Sequence, residues 1–151
     1  MKPLTLSDYQ SLAEFRYQIR RFLRFSEESA RQAGIEARQH QLLLAVKGLP
    51  SGEQPRIGVL ADRLQIAPHS AVELANRLAR SGYVRRQRDQ QDRREVTLTL
   101  TTKGEKLLHE LSLAHHAELR TAGPDLMAAL TDVLKAVKPR VRKPGPTRRK
   151  T

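Results

Sequence analysis

The feature that most constrains this chain is a change in the spacing of apolar residues within one segment. Over residues 57–78 they recur every three or four positions, the spacing of one face of an α-helix. Gly82 is expected to adopt a left-handed backbone conformation and so to end the second helix. Beyond it the period falls to two, because apolar residues alternate with threonines over residues 96–101 (VTLTLT). The segment therefore predicts two helices followed by a β-hairpin, with its first strand at 83–86 and its loop at 88–94.

The two predicted helices have the layout of a helix-turn-helix unit. Ala61 is small where two steeply crossing helices need close approach, and Ile66 can fill the corner between them. Pro68 fits the first turn of the second helix, where its missing N–H costs no hydrogen bond. The early, exposed face of that helix is then free to enter a DNA major groove.

The hairpin loop at residues 88–94 reads RDQQDRR and is rich in arginine. A hairpin beside a recognition helix is a wing, and a guanidinium at its tip can enter the narrow, negative minor groove. A solvated turn of mixed charge is the alternative interpretation. Together, the helix-turn-helix and the hairpin predict a protein that binds double-stranded DNA.

Polar and basic residues of the second helix and the hairpin are the candidate DNA contacts. His69 and Ser70 lie at the helix start, where they could reach base edges or phosphate, or form a surface polar pair. A further set of arginines is expected to hold the phosphate backbone, which positions a protein without reading sequence. These are Arg77, Arg80, Arg85 and Arg86, with Arg88 in the predicted loop.

Amphipathic helices are also predicted on both sides of this middle segment. Before it, one helix is expected over residues 7–33 and a second that ends at Gly48. After it, a long helix opens at Thr102 and is interrupted at Gly123-Pro124, and a last helix spans about 125–137. The fold class predicted is therefore mainly α with a small β-hairpin.

Charge and composition narrow the class of partner. The chain carries a net charge of +12, of which the all-basic segment from Lys135 onwards supplies +8 and the rest +4. A field of this sign favours nucleic acid as a partner, with an anionic membrane second. Residues 138–151 are Pro-rich with little apolar content, so we expect a disordered basic tail. The chain has no cysteine, which excludes disulfides and thiol-based redox sensing.

Residues 60–104 resemble the core of the MarR family of bacterial regulators. The matching elements, in order, are Leu60-Ala61, Gly82-Tyr83-Val84, Asp92-Arg93-Arg94 and Leu100-Thr101-Thr102-Lys103-Gly104. By arrangement the resemblance extends from Leu12 to Leu134. It implies an α+β winged helix-turn-helix fold whose terminal helices form a dimerisation domain.

The resemblance also implies a domain organisation and a function. Residues 1–137 would be one domain, with dimerisation helices at about 7–34 and 104–137 and a DNA-binding lobe at about 36–101. The protein would be a sequence-specific transcriptional regulator, a repressor in the family's commoner mode, and a homodimer. A twofold dimer would read a palindromic operator with half-sites about one helical turn apart. The expected location is the bacterial cytoplasm, in association with the nucleoid when DNA is bound.

The resemblance also implies roles for particular residues. Arg94 would be the wing arginine that enters the minor groove, and Asp92 the carboxylate that braces it. Some family members release DNA when a small aromatic acid binds between the dimer helices and the DNA-binding lobe. Such an effector is conceivable here, but its site is unknown from the sequence.

The sequence departs from the usual family pattern at three positions of the second helix. Ala67 stands where a capping Ser is common, so the helix begins less well capped. Val72 and Glu73 stand where hydroxyl and basic residues are frequent, which alters the expected base preference. Glu73 could accept a hydrogen bond from cytosine N4, or could hold Arg77 one turn further on.

Other functional classes find less support in the sequence. A nonspecific, nucleoid-type DNA-binding protein is the alternative function, suggested by the basic tail. No nucleophile elbow, phosphate loop, dinucleotide-binding glycine motif or HExxH motif is present, so neither an enzyme nor a cofactor is predicted. Some relatives bind zinc, which makes His109, Glu110 and His115 worth testing, although no metal is predicted. No apolar run approaches the length of a membrane span.

Overall fold

The computed structural model describes residues 3–136. In chain order the elements are α1 (Leu6–Gln32), α2 (Ala37–Lys47), α3 (Ile57–Leu64), α4 (Pro68–Arg80), β1 (Val84–Arg88), β2 (Val96–Leu100) and α5 (Thr102–Ala136). This mostly helical fold with one hairpin confirms the predicted fold class. The predicted basic tail at 138–151 lies outside the described residues, and the predicted domain boundaries stay a prediction.

The first helix begins with a reciprocal capping arrangement. The backbone N–H of Asp8 donates to Thr5 Oγ1 at 3.3 Å, and the Asp8 carboxylate accepts from the Thr5 N–H at 2.6 Å. Each side chain thus satisfies a donor that the first helical turn would leave unpaired. The capping box therefore fixes where α1 starts.

The middle elements, α2 to β2, share one apolar core. Its largest fully buried side chains are Leu42, Leu43, Leu60, Leu78 and Leu98. The alternation in β2 places Leu98 inward with 1% of its surface exposed, as the two-residue period predicts. The core thereby fixes the hairpin against α4, the second helix of the helix-turn-helix unit.

The hairpin is longer than the sequence predicts. The antiparallel register runs from Val84 opposite Leu100 to Arg88 opposite Val96, so Arg88 belongs to β1 and not to the loop. The pairing extends this far because the N–H of Asp89 also donates to the Glu95 carbonyl, at 2.9 Å. The wing loop is therefore residues 89–95.

The predicted break at Gly123-Pro124 is wrong, since α5 is one continuous helix from Thr102 to Ala136. Proline removes one backbone donor, and its ring disfavours helical geometry in the preceding residue mainly through that residue's Cβ. Gly123 has no Cβ, which relieves the second restriction. Helix α5 also packs against α1, which supports its helical conformation.

Helices α1 and α5 pack along each other and leave apolar side chains exposed. At the start of α1 and the end of α5 these side chains are Leu6, Tyr9, Leu12, Met127, Leu130 and Leu134. The stripes predicted on the terminal helices are thus covered only in part within one chain. None of the helices in residues 3–136 is long and apolar enough to cross a membrane.

Candidate nucleic-acid interface

The turn between α3 and α4 has the tight geometry that the sequence predicts. Gln65 adopts a left-handed conformation (φ 53°), and the N–H of Ile66 donates to the Ala61 carbonyl at 3.0 Å. Ala61 is 2% exposed where the two helices meet. Ala67 is the N-cap of α4 and provides no side-chain cap, and Pro68 is its first residue. The helix-turn-helix unit is therefore present with the weak cap that the sequence indicates.

The first turns of α4 present a polar, exposed surface. Pro68, His69 and Glu73 are exposed, whereas Ser70 and Val72 are partly buried. The opposite face buries Ala71, Leu74, Ala75 and Leu78 in the core. The residues predicted to face DNA thus lie on the side of α4 that points away from the protein.

Of the two roles considered for Glu73, the structure does not show the pairing with Arg77. The Arg77 guanidinium donates to Glu36, the N-cap residue of α2, at 2.7 Å. Glu73 has no ion pair or side-chain hydrogen bond within residues 3–136. Glu73 therefore does not hold Arg77, and its carboxylate remains available to a base edge.

The wing loop is shaped by two aspartates that bond to the backbone. Asp92 Oδ1 accepts from the N–H of Arg94 at 3.0 Å, and the Asp92 carbonyl accepts from the N–H of Glu95 at 3.0 Å. Asp89 Oδ1 accepts from the N–H of Gln91 at 2.8 Å. Asp92 thus fixes the backbone at Arg94, whereas its predicted role was to brace the arginine side chain. The Arg94 residue itself is exposed.

A third extended segment, at Pro55 and Arg56, supports the hairpin, and no sequence pattern predicted it. The N–H of Leu98 donates to the Pro55 carbonyl at 3.0 Å, and Arg56 forms an isolated antiparallel bridge with Thr97. The Arg56 side chain donates to Asp89 Oδ2 at 3.2 and 3.3 Å and forms an ion pair with Glu95 at 2.8 Å. The hydrogen bond from Gln91, and then that from Arg56, hold the pKa of Asp89 below its ordinary value.

A groove lies between the start of α3 and the hairpin, and Val72 of α4 also lines it. Its lining comprises Arg56, Ile57, Gly58, Val72, Arg86, Arg94, Glu95 and Val96. Arg86 reaches across from β1 and donates to the side-chain oxygen of Asn76 on α4.

Arg85 is exposed and projects from the other face of β1, as the alternation of a strand requires. Arg88 donates to the Arg93 carbonyl at 3.3 Å. The structure thus brings Arg86 and Arg94 to one groove with Val72, but not Arg85.

The segment Leu100-Thr101-Thr102-Lys103-Gly104 joins the wing to α5. Thr101 Oγ1 donates to the Gly82 carbonyl at 2.6 Å and accepts from the N–H of Gly104 at 3.1 Å. Lys103 donates to the Ser81 carbonyl at 2.7 Å, at the end of α4. Gly82 has a φ of 77°, in the left-handed region expected of it. Hydrogen bonds at this junction therefore connect α4, the hairpin and α5.

The histidines singled out in the sequence fall into different surroundings. His109 and Glu110 are exposed, whereas the His115 ring bonds to the Leu111 carbonyl at 2.7 Å and to Ser26 Oγ at 2.8 Å. His40 is 3% exposed, and its ring centroid lies 4.8 Å from that of His115. Within residues 3–136, no three His, Asp or Glu side chains are grouped so that they could hold a metal ion.

Comparisons with known proteins agree with this arrangement. Residues 33–95 match the model of the MarR family. AbsC, a MarR family transcriptional regulator from Streptomyces coelicolor, superposes with a TM-score of 0.72 at 22% identity, over 92% of this chain and 95% of AbsC. No curated protein sequence matched the chain.

Two similar solved structures contain DNA. One is a MarR mutant from E. coli complexed with operator DNA, with a TM-score of 0.62 at 23% identity, over 82% of this chain and 90% of that one. The other is overoxidized AbfR bound to DNA, with a TM-score of 0.58 at 25% identity, over 84% of this chain and 91% of that one. The matched segment, the shared fold and the wing and helix geometry lead to one conclusion: residues 33–95 match the MarR family model, and the chain has the fold of MarR family transcriptional regulators.

Proposed function

We propose that this chain is a sequence-specific repressor that binds a palindromic DNA operator as a homodimer. The recognition helix α4 enters the major groove, and the wing places Arg94 in the adjacent minor groove. One observation carries the proposal: Val72 of α4 lines the same groove as Arg86 and the exposed Arg94, and its neighbours on α4, His69 and Glu73, are exposed. Two fixed elements that project from one face of a protein can occupy neighbouring grooves of a duplex.

The candidate contacts fall into two chemical groups, which are residues that can contact bases and residues that can contact phosphates. On α4, His69, Ser70 and Glu73 can reach base edges, and a carboxylate accepts from cytosine N4. Arg85, Arg86 and Arg88 supply phosphate contacts, which set orientation without reading sequence. Arg77 is a weaker candidate for phosphate than the sequence suggests, because its guanidinium is already paired with Glu36.

Dimerisation through α1 and α5 supports the palindromic site. Single exposed apolar side chains are ordinary on monomers, but a contiguous apolar patch marks an interaction surface. Here six such side chains, including Leu12 and Leu130, lie at the start of α1 and the end of α5. A twofold axis through these helices would present two copies of α4 to successive turns of one DNA face.

Release of DNA by a small aromatic effector remains a prediction. The junction between the terminal helices and the DNA-binding lobe contains Phe22 and Phe25, which both pack edge-on against His115. These aromatic side chains are therefore packing contacts in the structure. No effector class follows from them.

A selection and competition experiment tests the proposed function. Genomic fragments bound by the purified full chain would be enriched, and the affinity for the enriched site would be compared with that for bulk DNA at fixed salt. A regulator prefers its site by roughly 10³-fold or more. Equal affinity for both would instead support the alternative, a nonspecific nucleoid-type protein.

A further inference from the structure

Arg56 is the residue immediately before α3, and its side chain faces the wing. It occupies the N-cap position but makes no capping hydrogen bond. Instead its guanidinium contacts Asp89 at 3.2 and 3.3 Å and Glu95 at 2.8 Å. Asp89 and Glu95 are the first and last residues of the wing loop, and their backbones are joined by a 2.9 Å hydrogen bond. One arginine therefore contacts both ends of the loop that carries Arg94.

The surroundings of this contact favour a fixed geometry. The Asp89 side chain is only 13% exposed, and that of Arg56 is 39% exposed. An isolated surface ion pair contributes little, but an arginine that hydrogen-bonds one carboxylate and forms an ion pair with a second loses its side-chain freedom once for both interactions. The backbone is held too, because Pro55 and Arg56 pair with β2 at Leu98 and Thr97. The start of α3 and the wing loop are thus joined by both backbone and side-chain contacts.

We propose that Arg56 is a positioning residue for DNA binding, which holds the wing loop in the orientation that delivers Arg94 to the minor groove. The inference rests on the proposed function, since it requires that Arg94 enters DNA. It adds that the helix-turn-helix unit sets the wing angle through one side chain. Arg94 and Arg56 also line the same groove, so a loop released from Arg56 is free to tilt relative to α4.

Removing a negative charge beside the wing tests whether these residues position Arg94 or only change the electrostatic attraction to DNA. Asp89 and Glu95 place two negative charges beside a surface that would face phosphates. If only net charge mattered, Asp89→Asn and Glu95→Gln would strengthen DNA binding, because each removes a repulsive charge. If the network positions the wing, both changes weaken binding despite the gain in positive charge.

The experiment is a double-mutant cycle on the full-length protein. Affinities of Arg56→Ala, Asp89→Asn, Arg94→Ala and the doubles that include Arg94→Ala are measured on two operators that differ only in A·T-rich or G·C-rich flanks. Arg63→Ala is the matched control, since Arg63 is a similarly exposed arginine of α3 that pairs with Glu53 at 3.6 Å, away from the wing. Thermal unfolding of every variant shows whether the fold is kept.

We expect Arg56→Ala and Asp89→Asn each to weaken binding by roughly threefold to tenfold on A·T-rich flanks and less on G·C-rich flanks, where the minor groove is wider. In the Arg94→Ala background the same changes have no further effect, because there is no guanidinium left to position. Arg63→Ala leaves the affinity for both operators unchanged. A structural defect alone would not depend on the flanks or on Arg94.

Three results would overturn the inference. An equal loss from Arg56→Ala with and without Arg94 would make Arg56 a direct phosphate contact. Tighter binding by Asp89→Asn would show that charge, not position, dominates. If Arg94→Ala weakens binding while Arg56→Ala does not, this inference fails alone, whereas a neutral Arg94→Ala would contradict the proposed wing contact itself.

Discussion

We expect Gly104→Ala to destabilise the protein, although alanine is normally favoured over glycine in a helix. Gly104 is the third residue of α5 and is buried at the junction with the wing. A Cβ added there would overlap the Tyr83 carbonyl oxygen and lie 3.1 Å from Leu100 Cδ2. Since the Tyr83 carbonyl already accepts from the Thr101 N–H at 3.1 Å, the backbone has little room to move.

Two opposing terms give the magnitude expected for Gly104→Ala. Alanine in a helix is favoured over glycine by up to about 1 kcal/mol. Overpacking costs about 1–3 kcal/mol, and the upper end applies where the obstacle is backbone. The net expectation is a loss of about 2 kcal/mol in unfolding free energy, or roughly 4–8 °C in Tm for a chain of this length.

The assay is chemical and thermal unfolding at one fixed protein concentration, because the Tm of the proposed dimer would depend on concentration. The matched control is Gly58→Ala in α3, where an added Cβ has no heavy atom within 4 Å. That variant should be as stable as the wild type or more stable by up to about 1 kcal/mol. A Gly104→Ala protein that matched or exceeded the wild type would refute the packing argument for this motif.

Three further predictions concern binding, assembly and pH. Arg94→Ala should cost about 1–3 kcal/mol per half-site contact, with partial rescue by Arg94→Lys, and binding within twofold of wild type on titration would exclude the wing contact. Leu12→Glu should dissociate the dimer in analytical ultracentrifugation, whereas Leu44→Glu, on α2 and 49% exposed, should not; unchanged assembly of the first variant would count against the α1 interface. Burial, then the charge of neighbouring His115, lowers the pKa of His40 from 6.5 to about 4, so the fold favours its neutral form. This preference contributes fully to the free energy of unfolding above pH 6.5. It is lost as the pH falls to about 4, which lowers that free energy by up to about 3 kcal/mol. Urea titrations across this range should show the loss, and His40→Leu should flatten it; an equal slope in that variant would contradict the assignment.

The elements that the sequence predicted well are those whose signal is local. The alternation that buries Leu98 and the left-handed Gly82 each depend on a few neighbouring residues, and both were expected. The family motif around Gly104 was recognised from its residues. Its cause, a backbone carbonyl against the helix, became visible only in three dimensions.

What the sequence could not predict depends on residues far apart in the chain. Arg56 contacts the wing loop from 33 positions away in the chain, and nothing in its local pattern indicates that contact. Arg77 likewise bonds to Glu36 and not to Glu73 one turn earlier in its own helix. At Gly123-Pro124 the two helix-breaking residues together suggested an interruption, but the helix continues through them, and glycine removes the one clash that proline would make with a preceding Cβ.

Hydroxyl-radical footprinting of the enriched operator tests the central claim most directly, because the cleavage reports on the minor groove base by base. The proposed mode predicts two minor-groove protections related by a twofold axis and flanking the major grooves of half-sites about one helical turn apart. In Arg94→Ala both of these minor-groove protections should disappear. A continuous protection without a twofold pattern, or a footprint identical in wild type and Arg94→Ala, would contradict operator recognition by a winged dimer.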